Sequence, residues 1–280
     1  MTATDGVRPA RRDEVRQAAD DGEGVSLSWA LRDSWAMTRR NLRTALRQPQ
    51  LLVFATVQPV IFILLFRYVF GGAIAAPGPV DYVDYLLTGI FVQTITFGAI
   101  QTGIGLSEDL SRGLIDRLKS MPIARAAVLA GRVGADLARD VVVIAVMVAV
   151  GYAVGFRFAN GPAGALLAVL VLLLWGFAFS WVGAFLGLAL KTPETVQAAS
   201  FPLIFPLVFA SSIFVPVESM PGWLQAFVEV NPITLVTETV RALALGEPFD
   251  LMPHLAWAGL AMAVLLAVFA PLAVARYRRT

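Results

Sequence analysis

Residues that could support catalysis are few in this sequence. It contains no cysteine and one histidine, His254, so thiolate chemistry, disulfides and a histidine-rich metal site are excluded. An acid–base pair could be built only from His254 and Asp250, and it would suit a membrane-embedded enzyme that acts on lipids. A P-loop for ATP needs a glycine directly before its lysine, whereas Lys119 and Lys191 each follow a leucine. We therefore predict a chain with no catalytic residue, metal site or cofactor of its own.

Charge inside the apolar part of the chain concentrates in the stretch EDLSRGLIDRLKSMPIAR, residues 108–125. Its leucines recur at helical spacing, and its acids precede its bases. The pattern predicts an amphipathic helix over 108–121 that ends before Pro122. This helix could be a solvated turn between spans, or its apolar stripe could be covered by the membrane surface or a partner protein.

The sequence around this stretch is that of a membrane protein. Of 280 residues, 58% are hydrophobic and 15% charged, and the mean hydropathy is +0.72, which is implausible for a soluble domain. A membrane-crossing helix needs about 20 apolar residues. Six stretches approach that length: 51–70, 85–106, 133–156, 165–190, 198–217 and 254–275. The sequence thus predicts an all-α integral membrane protein with six transmembrane helices.

Basic residues give the orientation of the spans. In the six-span arrangement, all lysines and arginines except Arg67, Arg157 and Arg241 fall on one side. By the positive-inside rule, both termini are cytoplasmic. We expect a multi-pass protein of the plasma membrane that contacts the lipid bilayer and no nucleic acid.

The chain before the first span divides into two parts. Residues 1–25 are charged and lack an apolar core, so we predict a mobile cytoplasmic tail. Residues 26–49 alternate leucines and Trp35 with arginines, which predicts a basic amphipathic helix on the inner leaflet. An early start of the first span is the alternative. Residues 50–280 form the transmembrane domain.

A more polar region separates the fifth and sixth spans. Residues 217–252 are too interrupted to cross the membrane, and Pro221 and Pro232 suit the first turns of two short helices, roughly 221–230 and 232–245. We predict that these helices form a re-entrant hairpin before the last span. An external amphipathic cap is the alternative. Glu238 and Arg241 lie three positions apart on the second of these helices, a spacing that predicts an ion pair.

Polar and small residues within the spans indicate either a path or helix packing. The candidates for a substrate path lie in the second span and in the proline-containing fifth span: Gln93, Gln101, Pro206, Ser211 and Ser212. Hydrogen bonds between helices and kinked packing are the alternatives. Gly183 and Gly187 predict close helix packing, within one subunit or between two copies.

Four charged residues recur three to four positions apart at the inner end of the third span: Arg132, Asp136, Arg139 and Asp140. This spacing predicts ion pairs near the headgroups, and a structural clamp fits it better than a proton relay. The centres of the six apolar stretches contain no carboxylate, which argues against an ion-coupled carrier acting alone.

Two blocks of the sequence resemble a known family. The first runs from Glu108-Asp109 through Gly113 to residues 121–125 and Gly131-Arg132, and the second covers residues 220–243, before the last span. Together they resemble the permease subunits of type-2 ABC exporters, most closely the daunorubicin-resistance-like drug exporters. The resemblance extends from about residue 30 to the end of the chain.

The resemblance implies the permease of an ATP-driven exporter for a lipophilic or amphipathic compound: a drug, an antibiotic or a lipid-like molecule. ATP and Mg²⁺ would bind to a separate ATPase subunit, and two permease copies would pair with two ATPases. The N-terminal amphipathic helix would also contact the ATPase. The coupling helix would contact it through Glu108, Asp109, Arg112, Gly113, Leu114, Arg117, Leu118, Pro122 and Arg125. The expected outer gate consists of Pro221, Trp223, Asn231, Pro232 and Arg241.

Overall fold

The computed structural model describes residues 38–39, 49–70, 80–114 and 125–279. Most of the N-terminal tail and amphipathic helix predicted before residue 50 lies outside these residues. The regular elements described are all helical: α1 (Pro49–Leu65) with a π-helical turn (Phe66–Phe70), α2 (Tyr82–Ser111), α3 (Arg125–Ala153), α4 (Gly161–Leu190), α5 (Pro193–Phe209), a 3-10 turn (Val217–Ser219), α6 (Gly222–Val230), α7 (Pro232–Leu245) and α8 (Leu251–Arg279).

Within the described residues, three helices are long and apolar enough to cross a membrane, judged by length and composition: α2, α4 and α8. They coincide with the second, fourth and sixth predicted spans. α3 is 29 residues long but carries charged residues near its middle, and α1 and α5 have 17 residues each. The all-α class is confirmed for the described chain, and its apolar helices fit a membrane protein.

Helix α2 makes its most extensive contact with α4, and glycines bring the two backbones together. A Cβ on Gly183 would collide with the carbonyl oxygen of Ala99, and a Cβ on Gly187 would collide with that of Gly103. No side chain fits at either position, so the helices touch through their backbones. The prediction that Gly183 and Gly187 serve packing within one subunit is confirmed.

Buried apolar side chains form two clusters along the bundle. The smaller one joins the C-terminal ends of α2, α4 and α8 to the first turns of α3, and includes Leu106, Leu129, Leu188 and Tyr277. The larger one fills the remainder around Trp175, whose Nε1 donates a hydrogen bond of 2.8 Å to Thr96 Oγ1. We call the end with the smaller cluster the basic end, because α8 finishes there with three arginines.

The region between α5 and α8 differs in part from the prediction. α5 ends at Phe209, short of the predicted span end at 217, so residues 210–216 form a non-helical segment. The two short helices expected at 221–230 and 232–245 are present as α6 and α7. α7 packs on α2, α4 and α8, and much of its surface is buried.

Candidate functional site

The segment predicted to begin a coupling helix is instead the last turn of α2. Glu108 and Asp109 lie in this turn, and the helix continues to Ser111 before Arg112 ends it. The prediction that a separate helix begins at 108 was therefore wrong. The helix ends where Gly113 adopts a left-handed φ of 66°, because glycine reaches this region without steric strain. Leu114 is again helical.

The exposed side chains of this turn are charged. Arg112 lies 3.5 Å from Glu108, and their side chains are 73% and 42% exposed. Leu110 and Leu114 pack partly against the smaller apolar cluster, so this chain itself covers the beginning of the apolar stripe. Of the other predicted contacts, Arg125 begins α3, and three lie outside the described residues: Arg117, Leu118 and Pro122.

Arg241, on α7, is fully buried and ties three parts of the bundle together. Its guanidinium donates to the carbonyl oxygens of Ser212 at 2.6 Å, Ile213 at 3.1 Å and Tyr85 at 3.2 Å. It also donates to Glu238 Oε1 at 2.6 Å and to Ser212 Oγ at 3.3 Å, and it lies 3.5 Å from the centre of the Tyr85 ring. The expected pairing of Glu238 with Arg241 is confirmed, and the backbone acceptors extend it.

Asn231 connects α5 to α7 next to this arginine. Its amide nitrogen donates to the carbonyl oxygens of Leu207 and Ala210, both at 2.7 Å, and its Oδ1 accepts from Ile233 N at 3.0 Å. Because α5 ends at these residues, their carbonyls have no backbone N–H partner within the helix, and Asn231 supplies the donor. Ile233 N belongs to the first turn of α7, where backbone N–H groups need an acceptor. We call Tyr85, Ser212, Asn231, Glu238 and Arg241 the outer junction.

The other expected gate residues lie at the starts of the two short helices. Pro221 caps the N-terminus of α6, and Pro232 occupies the first turn of α7. Trp223 on α6 is 77% exposed. Arg241 and Asn231 are therefore buried in the outer junction, whereas Pro221 and Trp223 lie at the surface.

The five candidate path residues do not share one surface. Gln93 is buried on α2, Gln101 is exposed, and Pro206 is exposed on α5. Ser211 and Ser212 are fully buried beyond the end of α5, and Ser212 Oγ accepts from Arg241 in the outer junction. The structure thus places the two serines in a packing contact within the chain.

An aromatic row on α5 was missed in the sequence. Phe201, Phe205 and Phe209 stack with ring centres 4.8 and 4.1 Å apart, and Phe214 follows at 5.0 Å. The first three rings are exposed. Their spacing of four residues was a usable signal, because side chains four positions apart share one face of a helix.

The four charged residues of α3 form the expected ion pairs. Asp136 lies 3.6 Å from Arg132 and 3.3 Å from Arg139, and Asp140 lies 3.2 Å from Arg139. Both aspartates are at least nine-tenths buried. We call Arg132, Asp136, Arg139 and Asp140 the charge clamp.

The position of the charge clamp differs from the prediction. α3 begins at Arg125, well before the predicted span start at 133, so Arg139 and Asp140 lie halfway along the helix and not at its inner end. They face Gly98 and Gly176, which are also near the midpoints of α2 and α4. The expectation that no carboxylate lies near the middle of the bundle was therefore wrong, although each aspartate has an arginine partner.

Comparison with known proteins gives a consistent family. Residues 32–245 match the model of the ABC-2 type transporter family. The chain is 35% identical over 270 residues to the daunorubicin resistance ABC transporter permease protein DrrB1 of Streptomyces coeruleorubidus, covering 95% of this chain and 93% of that protein. It is 31% identical over 252 residues to the probable doxorubicin resistance ABC transporter permease protein DrrC of Mycobacterium tuberculosis, covering 86% and 87%.

A more distant relative is the putative transport permease ycf38 of Pyropia yezoensis, 24% identical over 213 residues, with 74% of this chain and 72% of that protein covered. The family model spans both sequence blocks that carried the resemblance. The family match and the identity to DrrB1 each extend over most of the chain. The chain belongs to the ABC-2 type transporter family.

Proposed function

We propose that this chain is the membrane-spanning permease subunit of an ATP-driven exporter that a separate ATPase subunit powers. The observation that carries the proposal is the 35% identity, over 95% of the chain, to a protein named as a daunorubicin resistance ABC transporter permease. The names of the relatives favour a lipophilic or amphipathic drug or antibiotic as the exported compound. ATP and Mg²⁺ are assigned to the partner, because Lys119 and Lys191 each follow leucine and not the glycine of a P-loop.

The proposed topology has six spans, α1 to α5 and α8, with both termini in the cytoplasm of a plasma-membrane protein. The lengths of α2, α4 and α8 support it, and α1 gains length from its π-helical turn. The basic end becomes the cytoplasmic end by the positive-inside rule. In this arrangement residues 1–25 are a cytoplasmic tail, 26–49 an interfacial helix and 50–280 the transmembrane domain, with α6 and α7 as an outer re-entrant hairpin.

The proposed ATPase contact is residues 108–125, and we call its first part, Glu108 to Leu114, the docking turn. The exposed side chains of Glu108 and Arg112 support this contact, since they leave a charged surface at the basic end. The N-terminal segment would add to it. A Cβ on Gly134 would lie 2.7 Å from Thr38 Oγ1, so Thr38 lies against α3 at that position.

The proposed substrate path lies between two permease copies that pair with two ATPases. α2 and α5 would line it, with the exposed residues Gln101 and Pro206 as candidate contacts, whereas Gln93 is buried within the chain. The exposed phenylalanines of α5 offer an apolar face for the partner copy or the compound. The outer junction would hold α7 in place at the exit.

A co-purification experiment tests the partner and its docking turn together. The tagged wild-type chain should bring down an ATPase subunit and reduce daunorubicin accumulation in membranes or cells. Arg112→Glu should lower the recovered ATPase about tenfold, since it reverses an exposed charge in the docking turn; a tenfold change corresponds to about 1.4 kcal/mol. Arg112 is a cleaner probe than Leu114, because Leu114 also packs against the apolar cluster of its own chain.

Arg278→Glu is the matched control, since Arg278 is an exposed arginine at the same end of the bundle. Its ATPase recovery should remain within twofold of wild type. An equal loss of recovered ATPase in both variants would contradict the assignment of the docking turn as the ATPase contact. Full transport by a chain purified without any ATPase would contradict the proposed function itself.

A further inference from the structure

The charge clamp has partners on α2 that follow the same spacing. α2 and α3 are antiparallel neighbours, and a Cβ on Gly105 would collide with the guanidinium of Arg132. A Cβ on Gly98 would lie 3.2 Å from Nη2 of Arg139. The two glycines are seven positions apart, as are the two arginines, so both pairs lie in one register over two helical turns, about 11 Å.

Hydrogen bonds across the helix pair fix this register. Arg132 Nη2 donates to the carbonyl oxygen of Gln101 at 3.2 Å, and Arg139 Nη2 donates to that of Gly98 at 3.0 Å. Between them, Thr102 Oγ1 donates to Asp136 Oδ2 at 2.6 Å. A slide of α3 along α2 by one turn would break all three bonds and move the arginines out of the glycine notches.

The register reaches from the basic end to the middle of the bundle. Arg132 lies two turns after the start of α3, whereas Asp140 lies halfway along it and faces Gly176 of α4. All four residues of the charge clamp lie on α3, and the two buried aspartates hold Arg132 and Arg139 in place by ion pairs within that helix. The arginines held in this way and Asp136 make the three hydrogen bonds to α2, so polar contacts join α2 and α3 in addition to apolar packing.

α2 ends within the proposed docking turn, at Ser111, and α3 begins after it, at Arg125. We propose that Asp136, Arg139 and Thr102 are positioning residues for transport: they lock α2 and α3 into one rigid pair that carries movement of the docking turn to the middle of the bundle. This inference rests on the proposed function. It assigns the charge clamp a role in coupling ATP hydrolysis to transport.

The test measures transport and ATP hydrolysis in the reconstituted complex of permease and ATPase. Asp136→Asn should lower the amount of daunorubicin moved per ATP hydrolysed about tenfold, because Arg132 and Arg139 both lose their shared carboxylate. The amount of complex and its basal ATP hydrolysis should stay within twofold of wild type. Asp250→Asn, which removes an exposed acid at the opposite end, is the control and should leave the ratio unchanged.

Two further variants separate positioning from folding. Asp136→Glu keeps the negative charge and should return the ratio to within about threefold of wild type. Thr102→Val keeps the shape of Thr102 but removes its hydrogen bond to Asp136, and should lower the ratio two- to threefold. If Asp136→Asn yields no complex, Thr102→Val still tests the inference.

Three results would overturn the inference. Unchanged transport per ATP in Asp136→Asn or Thr102→Val would show that the register is not needed for coupling. A decrease in transport that only matches the loss of assembled complex would show that the charge clamp acts on folding or assembly and not on coupling. If wild-type complex neither forms nor transports, the proposed function fails and the inference fails with it; if wild type transports and the variants remain fully coupled, the inference fails alone.

Discussion

The outer junction and the charge clamp both bury arginine, but they give it different acceptors. Arg241 donates mainly to backbone carbonyls, those of Tyr85, Ser212 and Ile213. Arg139 in the charge clamp pairs with two carboxylates and one carbonyl. The difference follows the local backbone, since two of the three carbonyls that Arg241 reaches belong to the non-helical residues 210–216, whereas the clamp lies between regular helices.

This contrast shows two ways of satisfying buried polar groups in an apolar bundle. Non-helical backbone exposes carbonyls that need donors, and an arginine can supply five N–H groups from one side chain. Regular helices satisfy their own backbone, so a buried cation there needs acidic partners. The outer junction therefore stabilises a bend, while the charge clamp fixes the register of straight helices.

The largest expected effect on folding comes from removing the arginine of the outer junction. Arg241→Gln removes the guanidinium donor to the carbonyl oxygen of Ile213, removes one of the donors to those of Tyr85 and Ser212, and leaves Glu238 without its cation, so it should lower the free energy of unfolding by about 3–5 kcal/mol. Thermal unfolding of the purified protein in detergent, followed by tryptophan fluorescence, measures the change. Arg139→Gln leaves Asp140 without its cation, but Asp136 keeps Arg132 as a partner and a single backbone carbonyl loses a donor, so the effect should be smaller, about 2–3 kcal/mol.

Arg157→Gln serves as the control for both variants. Arg157 is exposed, and its guanidinium also donates to backbone carbonyls, those of Tyr152 and Phe156. Water can replace it there, so its loss should change the free energy of unfolding by less than about 1 kcal/mol. Equal effects of Arg241→Gln and Arg157→Gln would refute the central role given to the buried carbonyls.

A smaller effect is expected from the amide of the outer junction. Asn231→Ala should lower the free energy of unfolding by about 2 kcal/mol, because Leu207 and Ala210 lose a donor and α7 loses its N-cap. Asn160→Ala is the matched control: Asn160 precedes α4 without a side-chain cap and makes one longer bond of 3.4 Å. A loss at Asn160 as large as that at Asn231 would mean that helix starts, and not the α5 carbonyls, determine the effect.

The sequence predicted helices better than it predicted their ends and contacts. The lengths of apolar stretches located the helices that became α2, α4 and α8, and two prolines located α6 and α7, because these signals are local. The end of α2 was missed, since the charges at 108–109 suggested a new helix while Gly113 alone provides the break. Local sequence patterns predict helix ends poorly when one helix continues from apolar into charged residues.

The candidate sites show the same limit more strongly. The pairing of Glu238 with Arg241 and the ion pairs on α3 followed from spacings of three and four, which are local. The backbone carbonyls that Arg241 reaches belong to residues far away in sequence, and so do the glycines that face the charge clamp. Such contacts depend on how α2 packs against its neighbours, which one sequence does not show.

The smallest expected effects compare a glycine in each region. A Cβ on Gly89 would lie 2.6 Å from the carbonyl oxygen of Ile213 and 2.9 Å from its Cα, in the bend that Arg241 holds. That backbone has little freedom to move, so Gly89→Ala should lower the free energy of unfolding by about 1 kcal/mol even after the gain in helix propensity.

At Gly105 the obstacle is the end of the Arg132 side chain, which is flexible and partly exposed. Gly105→Ala should therefore leave the free energy of unfolding within about 0.5 kcal/mol of wild type, because the gain in helix propensity offsets the shift of the guanidinium. The two variants make the same chemical change in the same helix. The difference between their unfolding midpoints therefore measures the difference between the two obstacles, the backbone of Ile213 and the side chain of Arg132. A larger loss at Gly105 than at Gly89 would mean that the charge clamp is the more rigid region, and would reverse the comparison.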